Sequence, residues 1–412
     1  MSASSSAARP MTGPTLSRRG VLKIGAVGLA PVLLPSMAHG GTPAEIPDYL
    51  RKRWEERYPG KPGGLSLNMM TPQGSFFAST LEGVTSGSHF RAASTTKTFT
   101  AAAIMLLDQR GMLRIDDKIS GTMPGKTGPY LPDSPDYAIP YKDQITIRLL
   151  LSHRAGVFDL ENQEVPPGSG QPYGGRIYHE WREEQDERHS FTKRETIEVL
   201  ARNRLSNAAP GASYHYSDCH YQILGEIVEQ VSGLSLNDFV SQELLKPNGL
   251  SHSHFVTDGT DQTLPSPFIE GFVQYKGQLF PATNYNYSYD PGSGNLVTTL
   301  DDLTRWMRLL IRGETALNPG QVARMCDVMP DSHYGLGLKH WTKNGDELGY
   351  GHDGGTAGYL TNAYHDPKTD VSFVMQCSLL DYDGDPDPLT SVMRQADWLG
   401  GISLHVRNRL LS

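Results

Sequence analysis

The sequence predicts an α/β (α+β) fold, an antiparallel sheet flanked by helices and formed by both chain ends, with an inserted all-helical region. Three observations carry this. Short strand-type runs broken by turn residues occur near the start and again near the end of the chain. Helix-type runs with apolar residues on one face fill the middle. The 412 residues, 38% hydrophobic and 9% aromatic, suffice for a large core.

Residues 46–58 (IPDYLRKRWEERY) read as an amphipathic helix. Two strands, 64–70 and 75–81, flank the turn-type run Thr71-Pro72-Gln73-Gly74. An apolar helix follows from Ser94 to about Gln109, closed by Gly111. Further helices are expected at 193–204, at 220–232 (Leu224, Ile227, Val228 and Val231 on one face, ending at Gly233), at 236–245 and at 301–310. The runs 334–341, 346–352, 358–365 and 371–378, punctuated by Asn-Gly, Gly-Gly and Asp-Pro, read as consecutive antiparallel strands before a last helix near 388–399. Residues 41–93 and 333–412 are thus assigned to a sheet-and-helix domain, and 94–332 to a mainly helical one. Residues 160–190 stand apart. Ten of the seventeen residues 179–195 are charged, so the stretch reads as a solvated surface excursion, with a lid over a site as the alternative.

Residues 1–40 hold Arg9, Arg18, Arg19 and Lys23 and no acid, then an apolar stretch from Val21 to Leu34 and small residues at Ser36, Ala38 and Gly40. This is the pattern of a signal peptide, and Ser17-Arg18-Arg19-Gly20-Val21-Leu22-Lys23 resembles the twin-arginine export signal. Cleavage near Ala38 to Gly41 would leave 33 basic against 45 acidic residues, a net charge of −12. The expected location is the periplasm or outside the cell. So acidic a chain is not a sequence-independent nucleic-acid binder. No run of 18 apolar residues is present, so no integral membrane span is expected in the mature form. Cys219, Cys326 and Cys377 allow at most one disulfide.

Ser94-Thr95-Thr96-Lys97 opens the apolar helix, and residues three apart on a helix share a face. A serine hydroxyl is a poor nucleophile until a base lies within hydrogen-bond reach. A lysine followed by Ala101, Ala102, Ala103 and Ile104 is costly to bury without a role. The bland alternative for Ser94 is a helix N-cap. A second Ser-x-x-Lys, Ser190 to Lys193, lies in the charged stretch and reads as a cap.

Two further segments add to this one: Tyr214-His215-Tyr216-Ser217-Asp218 before a helix, and His352-Asp353-Gly354-Gly355 at the end of a strand. In order and spacing the three resemble the serine β-lactamase and D,D-peptidase superfamily, with its Ser-x-x-Lys, Tyr-x-Asn and Lys-Thr-Gly or His-x-Gly motifs. Leu149-Leu150-Leu151-Ser152-His153 and the run Gly294 to Leu303 are similar to other family segments, so the resemblance spans about residues 60–380. It implies a β-lactamase/transpeptidase-like fold with Ser94 as nucleophile and Lys97 keeping the proton network poised. Tyr216 would act as phenolate or proton relay, its pKa lowered by Lys97. The N–H groups of Ser94 and Gly355 would form the oxyanion hole. Asp218, His352 and Gly354 are implied at the substrate, with His352 donating a hydrogen bond or, when protonated, binding a carboxylate. Two departures stand out. Asp218 replaces the family's Asn and is free to pair with Lys97 instead, and His352 replaces a common lysine; both point away from β-lactams.

The Tyr285, Tyr287 and Tyr289 side chains share one face if the chain there is extended, and would line a cleft and stack on substrate; the alternative is an aromatic patch on the helical region. His215, Asp218, Cys219 and His220 are close enough to suggest a metal, but the motif match accounts for them better. No metal or organic cofactor is implied. The expected function is an exported serine hydrolase working through an acyl-enzyme on small amides or peptides, like D-Ala-D-Ala carboxypeptidases or D-aminopeptidases. Its partner would be a small-molecule or peptide substrate, cell-wall peptide included. A short-chain carboxylesterase, a β-lactamase and a non-catalytic penicillin- or peptidoglycan-binding module are the alternatives.

Overall fold

The computed structural model describes residues 43–411, so the signal-type segment 1–40 lies outside the described residues. The chain begins with α1 (Ile46–Arg57), β1 (Leu65–Thr71), β2 (Gly74–Ser79) and β3 (His89–Arg91). Seven elements follow as α2 (Thr96–Gln109), α3 (Ile147–Leu151), α4 (Tyr178–Gln185), α5 (Lys193–Arg202), α6 (Asp218–Ser232), α7 (Leu236–Val240) and β4 (His254–Phe255). Next come β5 (Phe272–Tyr275), β6 (Gln278–Pro281), β7 (Leu296–Thr299), α8 (Leu300–Ile311) and α9 (Pro319–Cys326). The last are β8 (Lys339–Lys343), β9 (Asp346–Thr356), β10 (Tyr359–Asp366), β11 (Val371–Cys377), β12 (Leu379–Asp381) and α10 (Pro388–Leu411).

The main sheet is antiparallel in the order β2-β1-β11-β10-β9-β8. Its two halves come from opposite ends of the chain: Leu65 of β1 lies opposite Cys377 of β11, and Leu67 opposite Met375. Strand periodicity sorts the side chains. Val371, Phe373, Met375 and Cys377 join the core under α1 and α10, whereas Val374 faces the core that holds α8 and α2. Asn68 of β1 also points to that second side, where its amide donates to Asp301 (3.1 Å) and Thr304 (3.2 Å) of α8.

The inserted region is mainly rather than wholly helical. It supplies most strands of two small sheets, β3-β7-β4 and β12-β5-β6. The hairpin β5–β6 turns at Lys276 and Gly277, both at positive φ (50° and 73°), the two-residue geometry whose right-handed twist suits a hairpin. Two expectations change for packing reasons. The 160–190 stretch is not a solvated excursion: Val165, Tyr173 and Tyr178 are buried in the main core, Ile177 is buried as well, and α4 forms within the stretch. The last helix continues past 399 through Gly400-Gly401 to Leu411, and a side chain at Gly400 would meet the Trp341 ring at 2.8 Å. The glycine there serves a close contact rather than a helix end. The three cysteines are free.

Helix α2 is buried from Thr96 to Leu107. On one side Phe99 stacks on Trp306 of α8 (centroids 4.1 Å, 12° between planes), and Trp306 Nε1 donates to Thr98 at 2.9 Å. Trp306→Ala removes the stack and the bond and leaves a cavity. We expect it to cost about 3–5 kcal/mol in chemical denaturation. A loss below about 1 kcal/mol would show that α2 is not anchored through this contact.

Candidate active site

Strand β3 runs into Ala92 and Ala93, and Ala93 adopts φ +49°, a left-handed conformation unfavourable to a side chain. Tyr287, 1% exposed, fixes this turn by accepting the Ala93 N–H at 2.8 Å. The hydroxyls of Thr95 and Thr96 return to the Ala92 and Ala93 carbonyls at 3.0 and 2.6 Å. Strand β9 presses on the same turn, and a Cβ at Gly354 would lie 2.3 Å from the Ala92 carbonyl oxygen. Ser94 therefore sits partly exposed in a tight 3-10 turn ahead of α2, with no side-chain cap bond, so it is not an N-cap.

Lys97 is fully buried one turn on. Its ammonium donates to Ser94 Oγ (3.0 Å), Asp218 Oδ1 (2.5 Å) and the Ser293 carbonyl (2.9 Å), one acceptor for each of its three hydrogens. Asp218, the first residue of α6, thus pairs with Lys97, and its other oxygen accepts from Asn162 Nδ2 at 2.8 Å. The same amide group donates to Asp159 Oδ2 at 2.8 Å. With both hydrogens held by carboxylates, the Asn162 carbonyl points the other way.

Tyr216 meets the Ser94 hydroxyl, and Lys97 Nζ lies 4.9 Å from its ring centroid. Burial, reinforced by the Asp218 charge, pushes its pKa well above 10, and the bond to Ser94 only partly opposes this. That direction favours the neutral phenol, so of the two roles implied for Tyr216, phenolate or proton relay, it supports the relay.

Strand β8 pairs with β9 only as far as Gly351, so the edge of β9 beyond it is open beside the Ser94 turn. Gly355 is exposed there and, with Ser94, lines a cavity of about 110 Å3. Glu161, Glu180, Asp218 and Asp290 form an acidic part of its wall, with Asn162 and His179 beside them. Ile177, Val273, Ala357, Tyr275, Tyr289 and Tyr382 supply apolar surface. Among the described residues on this wall none is lysine or arginine. Gln222 bridges Glu161 and Asp290 at 2.8 and 3.1 Å, and His179 Nδ1 pairs with Glu161 at 2.9 Å. Burial, first of all causes, raises the carboxyls of Asp159, Glu161 and Asp290.

Other predicted residues lie elsewhere. His352 is 2% exposed, bonded through Nε2 to Tyr334 (3.0 Å) and through Nδ1 to the Asp353 carbonyl (2.5 Å). Burial lowers its pKa to about 3, its ring lies 6.3 Å from that of Tyr216, and it is not among the residues lining the cavity, which speaks against its reading as a protonated carboxylate binder. Gly354 is buried against Ala92 rather than open to a substrate. Tyr285, Tyr287 and Tyr289 stand edge-on in a row (5.6 and 6.1 Å between centroids). Of these only Tyr289 lines the cavity. Tyr287 holds the Ala93 turn, and Tyr285 and Tyr289 both meet Thr356 Oγ1, at 2.9 and 3.0 Å. Arg91, also buried, lies over the Tyr285 and Tyr287 rings at 4.5 and 4.7 Å. In the second Ser-x-x-Lys the helix cap is Thr192, which accepts from Glu195 N, while Ser190 accepts from Gly259 N. Among the described residues no group of three His, Cys, Asp or Glu side chains is placed to hold a metal ion.

Sequence reasoning missed Glu161, Asn162, His179 and Asp290. The first three sit in the stretch dismissed as solvated; Val165, Tyr173, Ile177 and Tyr178 among its charges were the available sign that it packs.

A family model described as Beta-lactamase matches residues 76–397. Among relatives by sequence is a D-aminopeptidase of Cereibacter sphaeroides, 24% identical over 196 residues, which cover 45% of this chain and 36% of that one. The matches to such relatives span between 34% and 56% of their own length. Two solved structures share the fold at 21% identity. One is a D-stereospecific amidohydrolase from Streptomyces sp., with TM-score 0.68 over 86% of this chain and 98% of that one. The other is the D-amino acid amidase of Ochrobactrum anthropi SV3 complexed with L-phenylalanine amide, with TM-score 0.67 over 88% and 99%. With residues 76–397 matching the family and its fold present around Ser94, this chain belongs to the Beta-lactamase family.

Proposed function

We propose that this chain is a serine hydrolase that cleaves small amides or peptides through an acyl-enzyme at Ser94, and that the acyl part of its substrate carries a free amine. The observation that carries this is one cavity where Ser94 and Gly355 meet a wall of carboxyl groups. Ser94 Oγ attacks the amide carbon. Its proton passes to Tyr216 Oη while Tyr216 hands its own proton to the departing nitrogen, so no free phenolate forms. Lys97 holds Ser94 Oγ and supplies fixed positive charge beside it. The carbonyl oxygen, now negative, lies between the N–H groups of Ser94 and Gly355, each such donor worth about 2.7–4 kcal/mol of barrier. Water then releases the acid, returning a proton through Tyr216 to Ser94.

The wall offers a substrate ammonium several carboxyl oxygens as hydrogen-bond acceptors, and among its described residues it holds no lysine or arginine to pair with a substrate carboxylate. That weighs against carboxypeptidase substrates, which end in a carboxylate, and against β-lactams, which carry one. The Asn162 carbonyl adds a hydrogen-bond acceptor. The amide-cleaving relatives named above support the reaction class.

A D-alanine p-nitroanilide and its N-acetyl and N-succinyl forms separate the readings. The free amine is expected to give a kcat/KM at least about tenfold higher, a 1.4 kcal/mol preference, with the succinyl form poorest and Ser94→Ala inactive on all three. The KM of the free-amine substrate should rise above about pH 8, where an α-amino group loses its proton. Faster turnover of the succinyl form would reverse the assignment of charge.

The chain is also read as exported by the twin-arginine route to act on peptides outside the cytoplasm, which rests on Arg18-Arg19 ahead of the apolar stretch Val21 to Leu34. Replacing both arginines by lysine should trap the unprocessed chain inside the cell; unchanged export in a strain lacking that route would refute it. Among the described residues no helix is long and apolar enough to cross a membrane.

A further inference from the structure

His153 lies just past α3, fully buried, at φ +55°. It grips three consecutive residues around the phenol. Its carbonyl accepts the His215 N–H at 2.8 Å, its Nδ1 accepts the Ser217 N–H at 3.3 Å, and its ring stacks on Tyr216 with centroids 4.2 Å apart and 30° between planes.

The tautomer of this histidine follows from its neighbour. Val157 N–H donates to His220 Nε2 at 3.3 Å, so that nitrogen bears a lone pair and the ring hydrogen of a neutral His220 is on Nδ1. His220 Nδ1 lies 3.0 Å from His153 Nδ1 and donates to it. His153 Nδ1 is therefore the acceptor, and its hydrogen is on Nε2. Burial keeps both rings neutral, lowering His220 to about 3 and His153 well below its ordinary value. His153 Nε2 is buried with no hydrogen-bond acceptor among the described residues. A phenylalanine would fill the same slot without that unmet donor, so the ring's polar edge has a use other than packing.

We propose that His153 is the positioning residue that sets Tyr216 against Ser94, and that His220 fixes the tautomer in which it does so. This rests on the reading above, in which Tyr216 protonates the leaving group. The consequence depends on what leaves. With either substrate Tyr216 relays the Ser94 proton, but an anilide nitrogen must receive it as the bond breaks, whereas p-nitrophenolate is a stable anion and the relayed proton can pass to water instead. Misplacing Tyr216 must slow amides far more than activated esters, and a general loosening of the site would slow both alike.

The test compares D-alanine p-nitroanilide with D-alanine p-nitrophenyl ester in His153→Phe, which keeps a flat ring but loses the Nδ1 acceptor, with thermal melting as the check on folding. We expect kcat on the anilide to fall at least about tenfold, within the range general acid catalysis spans, with KM little changed and the ester much less affected. His220→Leu, which removes the donor to His153, should show the same split, and His220→Asn, whose amide can replace the Nδ1–H, should restore most of the anilide rate. If His153→Phe fails to fold, the two His220 variants decide alone. Equal losses on both substrates, or none on either, overturn the role of His153. A parent protein inactive on both substrates would instead overturn the proposed reaction.

Discussion

A cation without solvent dominates this site. Lys97 is fully enclosed, and taking such an ion out of water costs several kcal/mol unless its hydrogens are met. They are met by three acceptors from three places in the chain: Ser94 in the turn just before its own helix, Asp218 at the start of α6, and the Ser293 carbonyl ahead of β7. The ammonium therefore ties the Ser94 turn to the inserted helices. Removing any one acceptor leaves a buried hydrogen without a partner. Asp218, where the family pattern has an amide, is spent on this task and is not free to recognise substrate as an amide would. Asn162, anchored by Asp218 and Asp159, stands at the cavity wall instead.

Around that cation the molecule spends its rigidity on orientation. The left-handed Ala93 persists because Tyr287 bonds its N–H and because Gly354 lets β9 close on Ala92. Strained backbone of this kind survives only where neighbours over-determine it. On the far side His153, His220, Tyr221 and Tyr334 make a buried aromatic bed, with the His153 ring 5.1 and 4.8 Å from those of Tyr221 and Tyr334. The cavity thus has one wall lined by carboxyl groups and one edge fixed by the Ser94 turn, which suits a small polar substrate held in a single pose.

The sequence was most informative where local chemistry repeats a simple period. The strands of the main sheet follow from alternation and turn residues, helix α2 from its apolar run, and α6 from its one-sided apolar pattern. Ser94, Lys97 and Tyr216 were found by order and spacing, and they do converge in space. What sequence could not give is the direction of a side chain. His352 and Gly355 lie three residues apart on β9, yet one is packed against Tyr334 while the other opens on the cavity. Likewise the charge of residues 179–195 spoke for solvent, while the aromatic and aliphatic residues scattered just before it decided the packing. Tyr287 was legible as aromatic and placed near the site, but its use as an acceptor for a strained N–H depends on a fold that only the structure shows.

The central claim is that Ser94, primed by Lys97 and Tyr216, is the attacking group. It is tested most directly by treating the mature protein with a serine-directed fluorophosphonate and mapping the adduct by peptide mass spectrometry. The account predicts a single phosphonyl group on the tryptic peptide spanning residues 92–97, whose one serine is Ser94. An adduct on Ser190, or a protein that takes up no label at all, would contradict it.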